Sequence, residues 1–128
     1  MSVFVNAGSR NEDLETSGAA YLLERSLLRG TSNRTKSELA QDIESLGARY
    51  GADTGREVTK FALQVFKGDV GKAVKILGDL LTNSTFDANE LEVLKEEVSN
   101  EHEENHHRYQ ETTIENAHFN VYREHMLG

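Results

Sequence analysis

The chain has no cysteine. That excludes a disulfide framework and any thiolate metal site. No apolar run approaches the ~20 residues that a membrane-spanning helix needs. Cations are scarce in one region only. Residues 86–128 hold Lys95, Arg108 and Arg123 against 11 acidic side chains, whereas residues 1–85 hold 11 of each sign. The whole net charge of −8 therefore lies in the last third. A nucleic-acid module needs a basic footprint to displace counterions from phosphate, and a helix lying on anionic lipid needs the same sign of charge. Both classes are excluded. Proline is absent too, and no glycine falls between Gly78 and Gly128, so nothing interrupts a helical pattern there.

What is present supports a modest core. Leu, Ile, Val and Phe make up 31 of the 128 residues. That is enough for one domain or part of one, and too much for a disordered chain. Ser2 to Ala7 is short, β-branched and aromatic, and reads as a strand ending at Gly8. It resembles neither a secretory signal nor an Arg-rich transit peptide. Thr16 or Ser17 is expected to cap a helix running to about Arg29, with Ala20, Leu23 and Leu27 as its apolar stripe and Ala19 and Leu28 alongside. Thr35 and Glu38 form a capping box for a second helix that stops at Gly47 and carries Leu39, Ile43 and Leu46.

The period then changes. Ala48–Asp53 and Val58–Lys67 read as a hairpin around Asp53-Thr54-Gly55-Arg56, with Phe61, Leu63 and Val65 on one face. A third helix is expected from Asp69 to Thr82, with Val70, Val74, Leu77 and Leu81 inward. A fourth starts at Asp87, capped with Glu90, and can run to about His125. Leu91, Leu94 and Val98 give its first part an apolar face; Ile114, Ala117, Val121 and Tyr122 do so for its last. The polar stretch between is where a break is expected. The order β-α-α-β-β-α-α predicts an α+β fold, helices layered on a mainly antiparallel sheet.

Two stretches carry metal-site chemistry. His102-Glu103-Glu104-Asn105-His106 matches H-E-x-x-H, in which two imidazoles one helical turn apart bind zinc and the Glu activates water. Glu111, Glu115 or Glu124 are available as a third ligand. A ligand face needs a partly buried wall, and this is the most polar stretch of the chain. It reads as a solvated helix face, with a metalloenzyme built on His102, Glu103 and His106 as the lesser alternative.

The second stretch is Gly18-Ala19-Ala20-Tyr21-Leu22-Leu23-Glu24-Arg25, followed by Arg29-Gly30-Thr31. It resembles the G-A-x-H-F-L-E-H helix and K-G-T turn of the inverted-zinc-motif metallopeptidases, H-x-x-E-H. More narrowly, the chain resembles the processing peptidase β-like and ubiquinol–cytochrome c reductase core protein family. Further matches are collinear. Ala7-Gly8-Ser9-Arg10 with Glu12 is similar to A-G-S-R-x-E, and Asn33-Arg34 completes K-G-T-x-N-R. Ile43 to Ala48 is similar to V-E-S-M-G-A, and Ala52 to Glu57 to N-A-Y-T-S-R-E. Lys72-Ala73-Val74 with Leu77, Asp79 and Leu80 is similar to K-A-V-x-x-L-A-D-I.

The resemblance implies two His ligands for zinc with a Glu base between them. Tyr21 and Arg25 stand at the two His positions and Glu24 at the base. The family's distal Glu ligand follows 76 residues after the second His, and that count from Arg25 reaches Glu101. A phenol, a permanent cation and a carboxylate cannot replace two imidazoles. The expectation is a degenerate site without catalytic residues, cofactor or metal, in which Arg25 takes the metal's place and pairs with Glu101, with Glu24 as a second candidate partner.

By resemblance, the function expected first is a non-catalytic core subunit of mitochondrial respiratory complex III. It would lie on the matrix side of the inner membrane, beside a second core protein and other subunits of the complex. The alternative is a non-catalytic, presequence-binding subunit of a mitochondrial processing peptidase, for which acidic residues 86–128 would meet basic peptides. Residues 1–128 are expected to be part of a single N-terminal peptidase-like domain, without the family's first and last strands. An exposed sheet edge would then favour a homo-oligomer of the fragment.

Overall fold

A computed structural model describes the backbone of residues 1–105 and 109–122, and the side chains of these residues apart from 102–105 and 111. The strands are β1 (Ser2–Val5), β2 (Arg49–Thr54) and β3 (Thr59–Gln64). The helices are α1 (Ala19–Ser26), α2 (Lys36–Ser45), α3 (Val70–Thr82), α4 (Ala88–Asn105) and α5 (Tyr109–Val121). The fold is α+β, as expected. All three strands are antiparallel, in the order β1-β3-β2.

The β2–β3 hairpin forms in the expected place, but its turn lies later. Thr54 still pairs with Thr59, and Gly55 N–H closes the loop onto the Val58 carbonyl at 3.0 Å. Strand β3 alternates as its sequence dictates: Thr59, Phe61 and Leu63 are buried, while Lys60 and Gln64 are exposed. Val65 falls beyond the strand and is only half-buried.

Two apolar clusters join the sheet to the helices. Leu39, Leu46, Ile76 and Leu80 pack with Leu28, Ile43, Ala48 and Tyr50. Leu27, Phe61 and Leu77 pack with Val3, Ala52 and Leu81. Each fully buried Leu, such as Leu39, Leu63 and Leu80, stabilises the fold by about 1.5–3 kcal/mol. Helix α2 has both halves of its Thr35–Glu38 capping box. Its chain reverses at Gly47, whose φ of 57° suits glycine.

Three expectations are corrected. The inward face of α3 is Ala73, Ile76, Leu77 and Leu80, and Val70 and Val74 are exposed. Two apolar stripes compete on this helix. Asp79 decides between them, because its buried carboxylate must face the loop at residues 31–34. On α1, Leu23 is exposed, and the helix tightens into a single 3-10 turn at Leu27–Arg29, which breaks the phase between Leu23 and Leu27. Neither Thr16 nor Ser17 caps α1. The Glu12 carboxylate does so from a distance, accepting from the N–H groups of Gly18 and Ala20, each at 2.7 Å.

Glu12 is delivered by the segment before it. Gly8 lies against the hairpin loop so closely that a Cβ would meet Gly55 O at 2.3 Å and Arg56 O at 2.7 Å. Arg10 N–H donates to Arg56 O at 2.9 Å, and the Arg10 guanidinium pairs with Glu57 at 2.5 Å. Residues 7–12 thus hold the start of α1 against the β2–β3 loop.

On α4, Leu94 is buried and Leu91 and Val98 are half-buried, the face expected. On α5, Ile114, Val121 and Tyr122 remain exposed, so the expected apolar face is not covered by the described residues.

Candidate functional site

Tyr21, Glu24 and Arg25 lie on α1, and Glu101 lies near the end of α4. Tyr21 and Arg25 are four apart and share a helix face. The Arg25 guanidinium lies 5.3 Å from the centre of the Tyr21 ring. It donates to the Tyr21 hydroxyl from Nη2 at 2.8 Å and from Nε at 3.3 Å. The same Nη2 donates to Glu101 Oε2 at 2.7 Å, and the Tyr21 hydroxyl is 3.5 Å from that oxygen. Tyr21, Arg25 and Glu101 therefore form one cluster across the α1–α4 seam.

Electrostatics reinforce it. The hydrogen bond with Tyr21, first, and the charges of Glu101 and Glu24 raise Arg25 above its ordinary value against an opposing effect of burial. The guanidinium is a fixed cation in this site. Both partners of the ion pair stay partly open to solvent, with 41 % and 44 % of their side chains exposed.

Glu24 turns the other way. Its carboxylate accepts a hydrogen bond from the Thr54 hydroxyl at the end of β2. Beside it, the Tyr50 hydroxyl is buried without a hydrogen-bond partner among the described residues. Burial, and secondarily the Glu24 charge, push its pKa up to about 12. Glu24, Tyr50, Arg25 and Glu101 edge a cleft of about 440 Å3 between α1, β2 and α4, with Leu28, Leu94 and Val98 as apolar wall.

The turn after α1 adds a second set of pairs. Arg29 donates to Glu90 at 3.2 Å and also pairs with Glu97. Sequence reasoning missed these, together with Thr54 and Tyr50. Spacing is the signal that could have found the first set: Glu90, Glu97 and Glu101 fall at i, i+7 and i+11, one face of α4 opposite Arg25 and Arg29.

Zinc takes neutral imidazole, thiolate or carboxylate. Between Tyr21 and Arg25 the donor set offers a phenol and a cation, and Glu101 is already engaged by that cation. These residues do not fit the metal. His102 and Glu103 fall on α4 and Glu111 on α5, but their side chains lie outside what is described, as do His106 and Glu124 altogether; Glu115 is exposed on α5.

The Insulinase (Peptidase family M16) model matches residues 1–128. The mitochondrial-processing peptidase subunit beta of Saccharomyces cerevisiae is 34 % identical over 128 residues, covering 100 % of this chain and 28 % of the relative. The human subunit of that name is 33 % identical over the same 128 residues, covering 100 % of this chain and 26 % of its own length. A solved protease from Helicobacter pylori shares the fold at a TM-score of 0.74 and 22 % identity, over 78 % of this chain and 24 % of that one. The chain thus spans little more than a quarter of the yeast relative.

These relatives are named as processing-peptidase β subunits, not as core proteins of complex III. That overturns the respiratory core-subunit expectation, and the second core protein and other complex III partners go with it. The motifs shared by the two groups are scaffold motifs, so they cannot separate one from the other. Over its whole length, this chain belongs to the Insulinase family, Peptidase family M16.

Proposed function

We propose that this chain is part of a processing-peptidase-like subunit that binds basic, amphipathic mitochondrial presequences without cleaving them. One observation carries the non-catalytic half: the Arg25–Glu101 ion pair at 2.7 Å occupies the helix positions at which the family's zinc ligands are expected. Without a metal-bound water, Glu24 has nothing to activate as a base. It serves instead as a hydrogen-bond acceptor that ties α1 to β2 through Thr54.

The binding half rests on kinship with processing-peptidase β subunits and on charge. Residues 86–128 carry the entire −8, and exposed Glu92 and Glu96 extend that acidity along α4. A field of one sign raises the local concentration of an oppositely charged peptide and speeds its encounter. A mitochondrial location comes with this reading. Among the described residues, no helix is long and apolar enough to cross a membrane.

Fluorescence anisotropy of a labelled basic presequence peptide against the full-length protein tests it. Binding should saturate, weaken as salt is raised, and weaken again in Glu92→Lys/Glu96→Lys. Binding that ignores both salt and charge reversal would defeat the electrostatic reading.

A further inference from the structure

The attachment of α4 is mostly ionic. Of its apolar side chains only Leu94 is fully buried, with Leu91 and Val98 half-buried. The same helix face carries Glu90, Glu97 and Glu101, and each meets a cation from α1 or the turns beyond it. Glu101 meets Arg25, Glu97 meets Arg29, and Glu90 meets Arg29 with Lys36 3.8 Å away. A scaffold that holds a metal between two helices gains a cross-link from it, since ligands on both elements are tied to one ion. Here a guanidinium makes the same crossing, from Tyr21 on α1 to Glu101 on α4.

We propose that Arg25 is a built-in substitute for the metal cross-link: a permanent cation that clasps α4 to α1 through Glu101 and closes the site to zinc. The proposal rests on reading residues 21–25 as a former zinc-binding helix, and is independent of what peptide the protein binds. Three observations converge on it. Arg25 cannot be deprotonated, so its charge persists wherever the protein folds. Its Nε and Nη2 both donate to the Tyr21 hydroxyl and the same Nη2 reaches the carboxylate, so Tyr21 positions it. Glu101 keeps the distance along the chain that metal binding would ask of it, yet faces the guanidinium, and a divalent ion entering there would meet a like charge within ion-pair distance. Arg25 is thus a positioning residue for α4, not a catalytic one.

Two experiments on the full-length protein decide the matter. In zinc titration after chelator dialysis, the native protein should retain well below one zinc per chain. Tyr21→His/Arg25→His, with its helical circular dichroism unchanged, should bind one zinc per chain and lose it when Glu101→Gln is added. Stoichiometric zinc in the native protein, abolished by Glu101→Gln alone, would overturn the proposal. So would a folded double variant that takes up no zinc.

The second experiment does not depend on that variant folding. Arg25→Gln, Glu101→Gln and the combined variant form a double-mutant cycle. The pair should couple by about twofold to fivefold in the unfolding equilibrium constant at low salt, the range for a half-exposed pair. That coupling should be the same with and without chelator. Zero coupling, or coupling that vanishes with chelator, would remove the clasp. Neither result bears on presequence binding; stoichiometric zinc in the native protein would also defeat the non-catalytic half of the proposed function, whereas zero coupling in the cycle would remove the clasp alone.

Discussion

Two carboxylates, Asp79 and Glu101, each receive an arginine from the α1–α2 region, and their surroundings are opposite. Asp79 is buried, at 8 % exposure, at the inward side of α3. It accepts from Thr31 Oγ1 at 2.9 Å, from Asn83 Nδ2 at 2.8 Å, and from Asn33 and Arg34. Arg34 also pairs with Asp42 at 2.9 Å. Glu101 is half-exposed and has one arginine and one distant phenol. The first cluster is saturated and locks the loop between α1 and α2 onto the end of α3, where Ser32 N–H also reaches Asn83 O at 2.8 Å. The second stands at the rim of a cleft and leaves solvent access. An arginine–carboxylate pair is structural where every lone pair is matched, and adjustable where water can replace either partner.

Mutation should separate the two most widely. Asp79→Ala leaves Thr31, Asn33 and the Arg34 charge without their acceptor, and should cost about 3 kcal/mol of stability in chemical denaturation. Arg25→Ala should cost only about 0.5 kcal/mol by the same assay, because water screens both ends of the pair. Equal losses at the two sites would erase the distinction.

Acid should act on the buried cluster next. Burial alone would push Asp79 up, but the hydrogen bonds from Asn33, Asn83 and Thr31 and the Arg34 charge outweigh it and hold its pKa below the ordinary value. A carboxylate lowered in the folded state adds stability that is complete above its unfolded pKa and lost as pH falls through the folded one. The unfolding free energy should therefore fall more steeply below about pH 4 in the native protein than in Asp79→Asn. Parallel pH profiles would contradict this.

Salt should discriminate in the other direction. Raising ionic strength to about 1 M shortens the screening length to about 3 Å and should remove most of the Arg25–Glu101 coupling, while Asp79→Ala keeps nearly its full cost.

Tyr50 should give the smallest effect. Its buried hydroxyl has no partner among the described residues, so Tyr50→Phe should leave stability unchanged or raise it by up to about 1 kcal/mol. Its pKa is raised to about 12, so the unfolded chain ionises first, and stability constant below about pH 10 falls as pH climbs toward that value. Ultraviolet titration should show one late-ionising tyrosine that Tyr50→Phe removes.

Much of this was legible residue by residue. The Thr35–Glu38 capping box, the hairpin and the buried face of β3 follow from local chemistry, and local rules found them. Counting along the chain from Arg25 located Glu101, because a family spacing carries tertiary information that periodicity does not. The rotation of α3 was hidden, since apolar periodicity ranks Val74 above Ala73, and only the buried Asp79 cluster selects the face. The Glu12 cap was hidden because it acts across a six-residue gap, outside the one-turn window in which capping residues are sought. Function was read least well, because the motifs that fix the scaffold are shared by peptidases and core proteins alike.

On the function proposed above, this chain keeps the scaffold of its family around a site that holds no zinc. Mass spectrometry of a basic presequence peptide incubated with the full-length protein and added zinc tests it most directly. The peptide should stay intact, with the same result for Glu24→Gln. Zinc-dependent cleavage by the native protein that Glu24→Gln abolishes would contradict it.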